Sequence, residues 1–440
     1  MKTPTYRRLI YSSFIVIFLI TAPLIVLYTQ GFRYNFSRGR IQKTGIIRVT
    51  SVPRGADIYL NGSPYLKSKT PAKIERVLPG DYEIKISKEG YYDWQKKLAV
   101  YENSSTFAER IILWKKSEVE KLTTLTSTNW LIAPDKNSIA LSDASGNIKL
   151  LNINSGIIGE TSGGQLTNIL QLKNKSNLKL ISYSPSGRYL LASVQENEKP
   201  VYLIIDALKQ ESQTIQLRNI LSIKFDTISD SLYASNQDGL WKIDYNINQS
   251  ELLIKGFQAN DFFIAGKNIY LIKEAILIKG SLNNDSYQET KNINCPNCLI
   301  QDIKNNKAVL LNPNDNKTII VDLGGRLNNI EINANKVEWL KEDSLIVFDN
   351  FEIYLFELKK LEPEIITRLG SEISSVIWHP RGRHLFFSTE NKIKIIEMDN
   401  REFRNITEII EQPTTFLALD RAGKNLYFSN SEGIFKLNIQ

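Results

Sequence analysis

The sequence predicts an all-β chain that begins with one transmembrane helix, continues into a small β-sandwich and finishes as a β-propeller. Three observations carry this reading. From Leu9 to Phe32 there is no charged residue. Residues 44–114 are dominated by apolar-polar alternation broken by tight-turn dipeptides, the pattern of half-buried strands. From Glu118 to Gln440 a unit of roughly 40 residues recurs, the period of four-stranded blades. The 440 residues suit two or three domains. Hydrophobic residues at 42% and charged residues at 23% are ordinary globular usage, which excludes a wholly disordered chain.

The helix comes first. Its core, Leu9–Tyr28, is 20 residues long, enough to span hydrocarbon. Tyr11, Tyr28 and Phe32 lie near the ends, where amphipathic aromatics favour the interface, and Pro23 is expected to kink the helix or mark its exit. A cleaved signal peptide is the competing reading. The apolar run is longer than a usual signal core, and no clean small-x-small cleavage site follows it, so an uncleaved anchor is preferred. Residues 1–8 form a short N-terminus before the anchor at 9–28, and 29–43 form a basic stalk.

The formal charge of +8 is local. Residues 1–50 hold eight of the 55 bases and no acid, and the other 390 residues balance at 47 of each sign. The body therefore lacks the charge excess expected of a nucleic-acid-binding domain, and nucleic acid is not an expected partner. Bases beside an apolar segment read instead as membrane-surface contacts. Lys and Arg flank both ends of the segment almost equally, so charge alone leaves its orientation open.

In residues 44–114, Ile47, Val49 and Ser51 alternate with their neighbours, and Ile58 and Leu60 precede Asn61-Gly62, a two-residue hairpin signal. Leu78-Pro79-Gly80 is a turn, Tyr82, Ile84 and Ile86 form a further strand, and Leu98, Val100, Ile111 and Leu113 fall in closing strands. A small antiparallel sandwich is expected. The ordered set of Pro53-Arg54-Gly55-Ala56, Asn61-Gly62, Thr70-Pro71, Leu78-Pro79-Gly80 and Gly90-Tyr91 resembles the PEGA domain, with Arg54 where the family has Glu. The resemblance covers about 70 residues. It implies an extracytoplasmic location next to surface-associated modules, hence a cytoplasmic N-terminus and a bulk outside the cytoplasmic membrane. It brings no catalytic constellation. The tetrad Pro53, Arg54, Gly55 and Ala56 is expected to be structural, with ligand binding the lesser alternative.

The repeat units are clearest in residues 178–194, 373–389, 415–439, 129–153 and 221–245, and degenerate in 261–280, 301–323 and 337–358. That gives eight blades, or seven if one degenerate unit is a long insertion. The final unit supplies three strands, and Val119–Leu125 is expected to add the fourth and close the ring, leaving no open edge. An open solenoid or two sandwiches would fit blade-length repeats less well. The turns Ser184-Pro185-Ser186-Gly187-Arg188 and His379-Pro380-Arg381-Gly382-Arg383 are similar to WD40-like blades of TolB-type propellers. This similarity implies a fold and transfers no functional residue.

Candidate chemistry is sparse. Cys295-Pro296-Asn297-Cys298 is half of a zinc site with no second pair, and it sits in a blade junction rather than at a helix N-terminus. A local disulfide or a pair of free thiols is expected, with redox or metal use lacking a supporting context. His379 and His384 flank a turn and fit blade packing. Residues 312–317 read as a polar turn, because Pro313 and Lys317 interrupt any calcium-loop spacing. Trp130, Trp241, Trp339 and Trp378 fall in strands, where core packing is commoner than sugar stacking; the remaining two are Trp94 and Trp114. No HExxH, GxSxG, P-loop or GxGxxG motif occurs. No catalytic, cofactor or metal residue is assigned. The expected function is a non-catalytic, membrane-anchored scaffold that presents a propeller face to an envelope protein or glycan. A propeller hydrolase or lyase acting on surface glycans, and a TolB-like assembly factor, are the alternatives.

Overall fold

The computed structural model describes residues 3–36, 38–127, 129–143, 145–153, 164–171, 177–257, 259, 261–282, 284–325, 328–341, 343–360 and 362–440. Met1 and Lys2 of the N-terminus, and Ala144 and Glu342 within two repeat units, lie outside these residues. The chain divides into two compact units. One comprises Met1–Ser117 with Asp399–Thr407 and Gln440, and the other Glu118–Met398 with Glu408–Ile439.

In the first unit the helix runs Thr3–Thr29, longer at its start than the apolar core, and it continues through Pro23. Its segment Tyr6–Thr29 has a mean hydropathy of 2.5 and is nowhere buried by protein, so it is long and apolar enough to cross a membrane. The stretch expected to be a stalk contains a hairpin, Phe32–Asn35 paired with Arg40–Lys43. Alternation of Phe32, Tyr34 and Phe36 with Arg33 and Asn35 gives that segment a strand period the stalk reading passed over.

Two sheets follow. One orders Ala72–Val77, Gly45–Val52 and Ser105–Ile112; the other orders Ser63–Pro64, Asp57–Leu60, Gly80–Ser87 and Trp94–Val100. Ile47, Val49, Ala56, Ile58, Ile74, Ile84, Ile86 and Leu98 form the core between them. Asn61 and Gly62 both take positive φ, and Leu60 faces Ser63 across them, so the loop is a two-residue turn. The expectation of an all-antiparallel sandwich is corrected. Gly45–Val52 and Ser105–Ile112 run parallel, with Ile46 opposite Ser105. Parallel neighbours need a long crossover, and here the crossover contains the whole second sheet.

The second unit holds eight four-stranded antiparallel sheets among the described residues. Seven use four consecutive strands, within 129–171, 179–214, 222–255, 262–292, 299–332, 336–368 and 373–410. The eighth joins Phe416–Leu419, Asn425–Asn430 and Gly433–Asn438 to the much earlier strand Val119–Thr123, with Val119 opposite Leu437. The apolar clusters lie between sheets. Ala140 and Ile148 pack with Leu190 and Ala192, and Val309 and Ile320 pack with Leu345 and Val347. Ile139 and Leu141 of the first sheet pack with Ala418, Tyr427 and Ile434 of the last, and Trp130 stacks on Phe416 at 4.6 Å. First and last sheets thus share a core, as in a closed ring.

The turns joining the first and second strands repeat one geometry. In the turns that start at Ala133, Ser184, His379 and Asp420, the first residue's N–H donates to the carbonyl five residues on. Its own carbonyl accepts from the N–H three residues on. All four first residues are buried. Adjacent turns are also tied together, since Ser186 donates from N and Oγ to the Asp230 carboxylate at 3.0 and 2.6 Å.

Candidate functional site

In the first unit, the tetrad turn is built around Thr70. The Gly55 N–H donates to the Thr70 carbonyl at 2.7 Å, and the Thr70 N–H returns a bond to the Ala56 carbonyl at 3.0 Å. A hydroxyl relay completes it. The Ala56 N–H donates to Thr70 Oγ1 at 3.0 Å, Thr70 Oγ1 lies 2.6 Å from Ser51 Oγ, and Ser51 donates to the Pro53 carbonyl at 2.7 Å. Because the Ser51 proton goes to Pro53, the Thr70 proton goes to Ser51. Ala56 is 0% exposed, and Ser51 and Thr70 are buried with it. Arg54 is exposed, and its carbonyl accepts from Lys88 Nζ at 2.6 Å. The turn's polar backbone groups are thus spent on the domain itself.

In the second unit, a cavity of about 820 Å³ opens among the first strands of four consecutive sheets. Its wall mixes Tyr183, Phe225 and Phe263 with Lys224, Asp302 and Lys304. Asp261, buried beneath Lys224, binds three sheets together. Its carboxylate lies 2.7 Å from Lys224 Nζ, accepts from Ser222 Oγ at 3.2 Å and accepts from the Ile300 N–H at 2.8 Å. Lys224 also donates to the Ile300 carbonyl at 3.2 Å. Lys304 pairs with Asp302 at 3.0 Å and holds its ammonium 4.7 Å from the Trp339 ring centre. Burial pushes the Glu338 carboxyl above its ordinary range, opposed by the charges of Lys136 and Lys304. Burial likewise raises the Tyr183 phenol. The arrangement offers apolar contact and paired charges in one concave surface, the make-up of a recognition site. Among the described residues no group of three His, Cys, Asp or Glu side chains could hold a metal.

Residues 44–109 match the PEGA domain. The tetrad relay and the core around Ile47, Val49 and Ile58 all fall inside the matched span. Beyond the PEGA domain, the propeller is similar in fold to the C-terminal WD40 domain of Sif2, at 13% identity and a TM-score of 0.50, covering 74% of this chain and 98% of that one. It is equally similar to Saccharomyces cerevisiae Sqt1, at 10% identity and a TM-score of 0.50, covering 73% and 98%. No curated protein matches the chain in sequence.

The residues singled out in sequence do not converge. Cys295 and Cys298 are disulfide-bonded, with Cα atoms 5.5 Å apart, between the sheets 262–292 and 299–332. Both are packed into the core those two sheets share. His379 is 0% exposed and His384 is buried. In residues 312–317, the Asn314 N–H donates to Asn312 Oδ1 and Asn312 Nδ2 to Asp315, which closes a polar turn. Of the four strand tryptophans only Trp378 is buried. Trp241 instead donates Nε1–H to Asn236 Oδ1 at 2.9 Å. The other two are half-buried, Trp130 on Phe416 and Trp339 under Lys304. The Lys224–Asp261 pair was missed, because its partners come from separate repeat units and no local spacing announces them.

Proposed function

We propose that the chain is a non-catalytic scaffold, held in the cytoplasmic membrane by its uncleaved N-terminal helix, with the PEGA domain and an eight-bladed propeller outside. The propeller binds a polypeptide segment of an envelope protein in the cavity beside Lys224 and Lys304. The cavity carries this reading. Its aromatic wall would bury apolar side chains, and the Asp302–Lys304 pair at its edge can exchange partners with charges on a ligand. A glycan partner is less favoured: sugars stack on open aromatic faces, whereas Trp94, Trp114 and Trp378 are buried, Trp130 is stacked on Phe416 and Trp339 faces Lys304.

The location is tested by protease shaving of intact cells with a C-terminal tag. Loss of the tag with cytoplasmic controls intact supports it. Protection that persists after removal of any outer barrier refutes it. The site is tested by photo-crosslinking from Gln301 in the full chain. A discrete adduct that Lys304→Glu abolishes, and that a crosslinker at exposed Leu208 does not form, supports the cavity. Equal labelling from both positions refutes it.

A further inference from the structure

The hairpin after the helix has two unlike faces. Pairing of Phe32 with Lys43 and of Tyr34 with Ile41 puts those four side chains, and Phe36 by the two-residue period, on one face. The other face carries Asn35 and Gln42, both buried. Asn35 Nδ2 donates to Gln42 Oε1 at 2.8 Å, and Gln42 Nε2 to Glu102 Oε1 at 3.2 Å, so this polar face fixes the hairpin against its domain. The apolar face is left uncovered. Phe36 is 89% exposed, Tyr34 and Ile41 about half, and Tyr34 meets Phe36 edge-to-face at 5.0 Å.

Lys43 lies on that face beside Phe32, Arg38 sits in the connecting turn, and Arg40 falls on the opposite face beside Asn35; all three are exposed. Among the described residues no ion pair engages them or Arg33, and residues 1–50 contain no acid to supply one. The helix ends at Thr29, three residues before Phe32. Three residues reach at most about 11 Å, so a membrane-spanning helix delivers this hairpin into the headgroup layer. Arg33 turns back to the helix end, donating to the Tyr28 carbonyl at 2.9 Å with its guanidinium 3.6 Å from the Tyr28 ring centre.

We infer that the hairpin is a second membrane contact, which lays Tyr34, Phe36 and Ile41 into the interface of the bilayer crossed by the helix and sets Lys43 and the turn residue Arg38 on anionic lipid headgroups. The inference rests on the anchor reading and adds a lipid preference and a fixed posture of the PEGA domain on the membrane. Exposed aromatics among unpaired bases are the composition that the interface of an anionic bilayer attracts.

The test uses the full chain in vesicles of phosphatidylcholine, with and without phosphatidylglycerol. Ile41→Cys carries an environment-sensitive fluorophore, and Leu66→Cys, at a 90% exposed position, is the control. Shallow nitroxide lipid should quench the first probe and spare the second. Iodide access to the first should fall about threefold, and more in the anionic vesicles. Arg38→Gln with Lys43→Gln should remove the extra shielding. A chain that floats with the vesicles while both probes stay equally open to iodide overturns the hairpin contact and leaves the anchor standing. Shielding identical in both lipids overturns the headgroup preference. A chain that does not float overturns the anchor reading, and the hairpin contact with it.

Discussion

His379 donates its Nε2 proton to the carbonyl oxygen of Gly423 at 3.1 Å, joining the equivalent turns of two neighbouring sheets. The other ring nitrogen, Nδ1, accepts from the Arg381 N–H at 3.3 Å, so the imidazole is held neutral in a single tautomer. Gly423 sits at φ +69, and a Cβ there would lie 2.4 Å from His379 Nε2 and 2.9 Å from Pro380. Gly423→Ala should therefore destabilise the propeller by about 2–3 kcal/mol, through backbone strain plus the broken turn-to-turn bond. Chemical denaturation followed by tryptophan fluorescence should show a lower midpoint at an unchanged m-value.

The same histidine makes stability depend on acid. Burial lowers its pKa from 6.5 to about 4. The unfolded chain therefore binds this proton first as pH falls. The stabilisation is complete above pH 6.5, declines between 6.5 and 4, and is gone below 4, a loss of roughly 3 kcal/mol at most. His379→Gln should be less stable at neutral pH and should flatten the pH profile in that window. A profile unchanged in slope would contradict the assignment.

Asp261→Ala should strip Lys224 and the Ile300 N–H of their shared acceptor and cost about 3 kcal/mol or more. Asp261→Asn keeps an oxygen for one of them and should lose less. Denaturation midpoints of the two variants order the effect.

Thr70→Val leaves the Ala56 N–H without its acceptor and Ser51 without its donor, at about 1–3 kcal/mol. Thr70→Ser restores the hydroxyl and should recover most of the loss. Hydrogen exchange at Ala56 is the local readout.

Reduction of Cys295–Cys298 opens a loop with a sequence separation of only 3. The chain-entropy contribution of so short a loop is no more than about 2 kcal/mol, so the propeller should stay folded in reductant with a modestly lower midpoint.

The repeating turns were legible because each carries its signal within six residues, as in Ser184–Tyr189. The closing strand at Val119 was legible because the last repeat came one strand short. The parallel pairing of Gly45–Val52 with Ser105–Ile112 was not, since alternation reports which face a residue takes and not which way its neighbour runs. Nor was the hairpin at Phe32, whose alternation is only a few residues long and is overshadowed by the bases around it. The cavity is illegible for a further reason. Lys224 and Ile300 lie in strands of two different sheets and Asp261 just before the first strand of a third, so only the packing of those sheets brings them together.

The pairing of Val119–Thr123 with Gly433–Asn438 sets a timetable for biogenesis. The strand that seals the propeller is the first of its strands to be synthesised, and its partner is among the last. At about 5–20 residues per second the ribosome takes on the order of tens of seconds to bridge that interval. Throughout it a nascent chain carries one unsatisfied strand at its front and a growing stack of sheets behind. An edge left unpaired for that long is open to pairing with a strand of another copy.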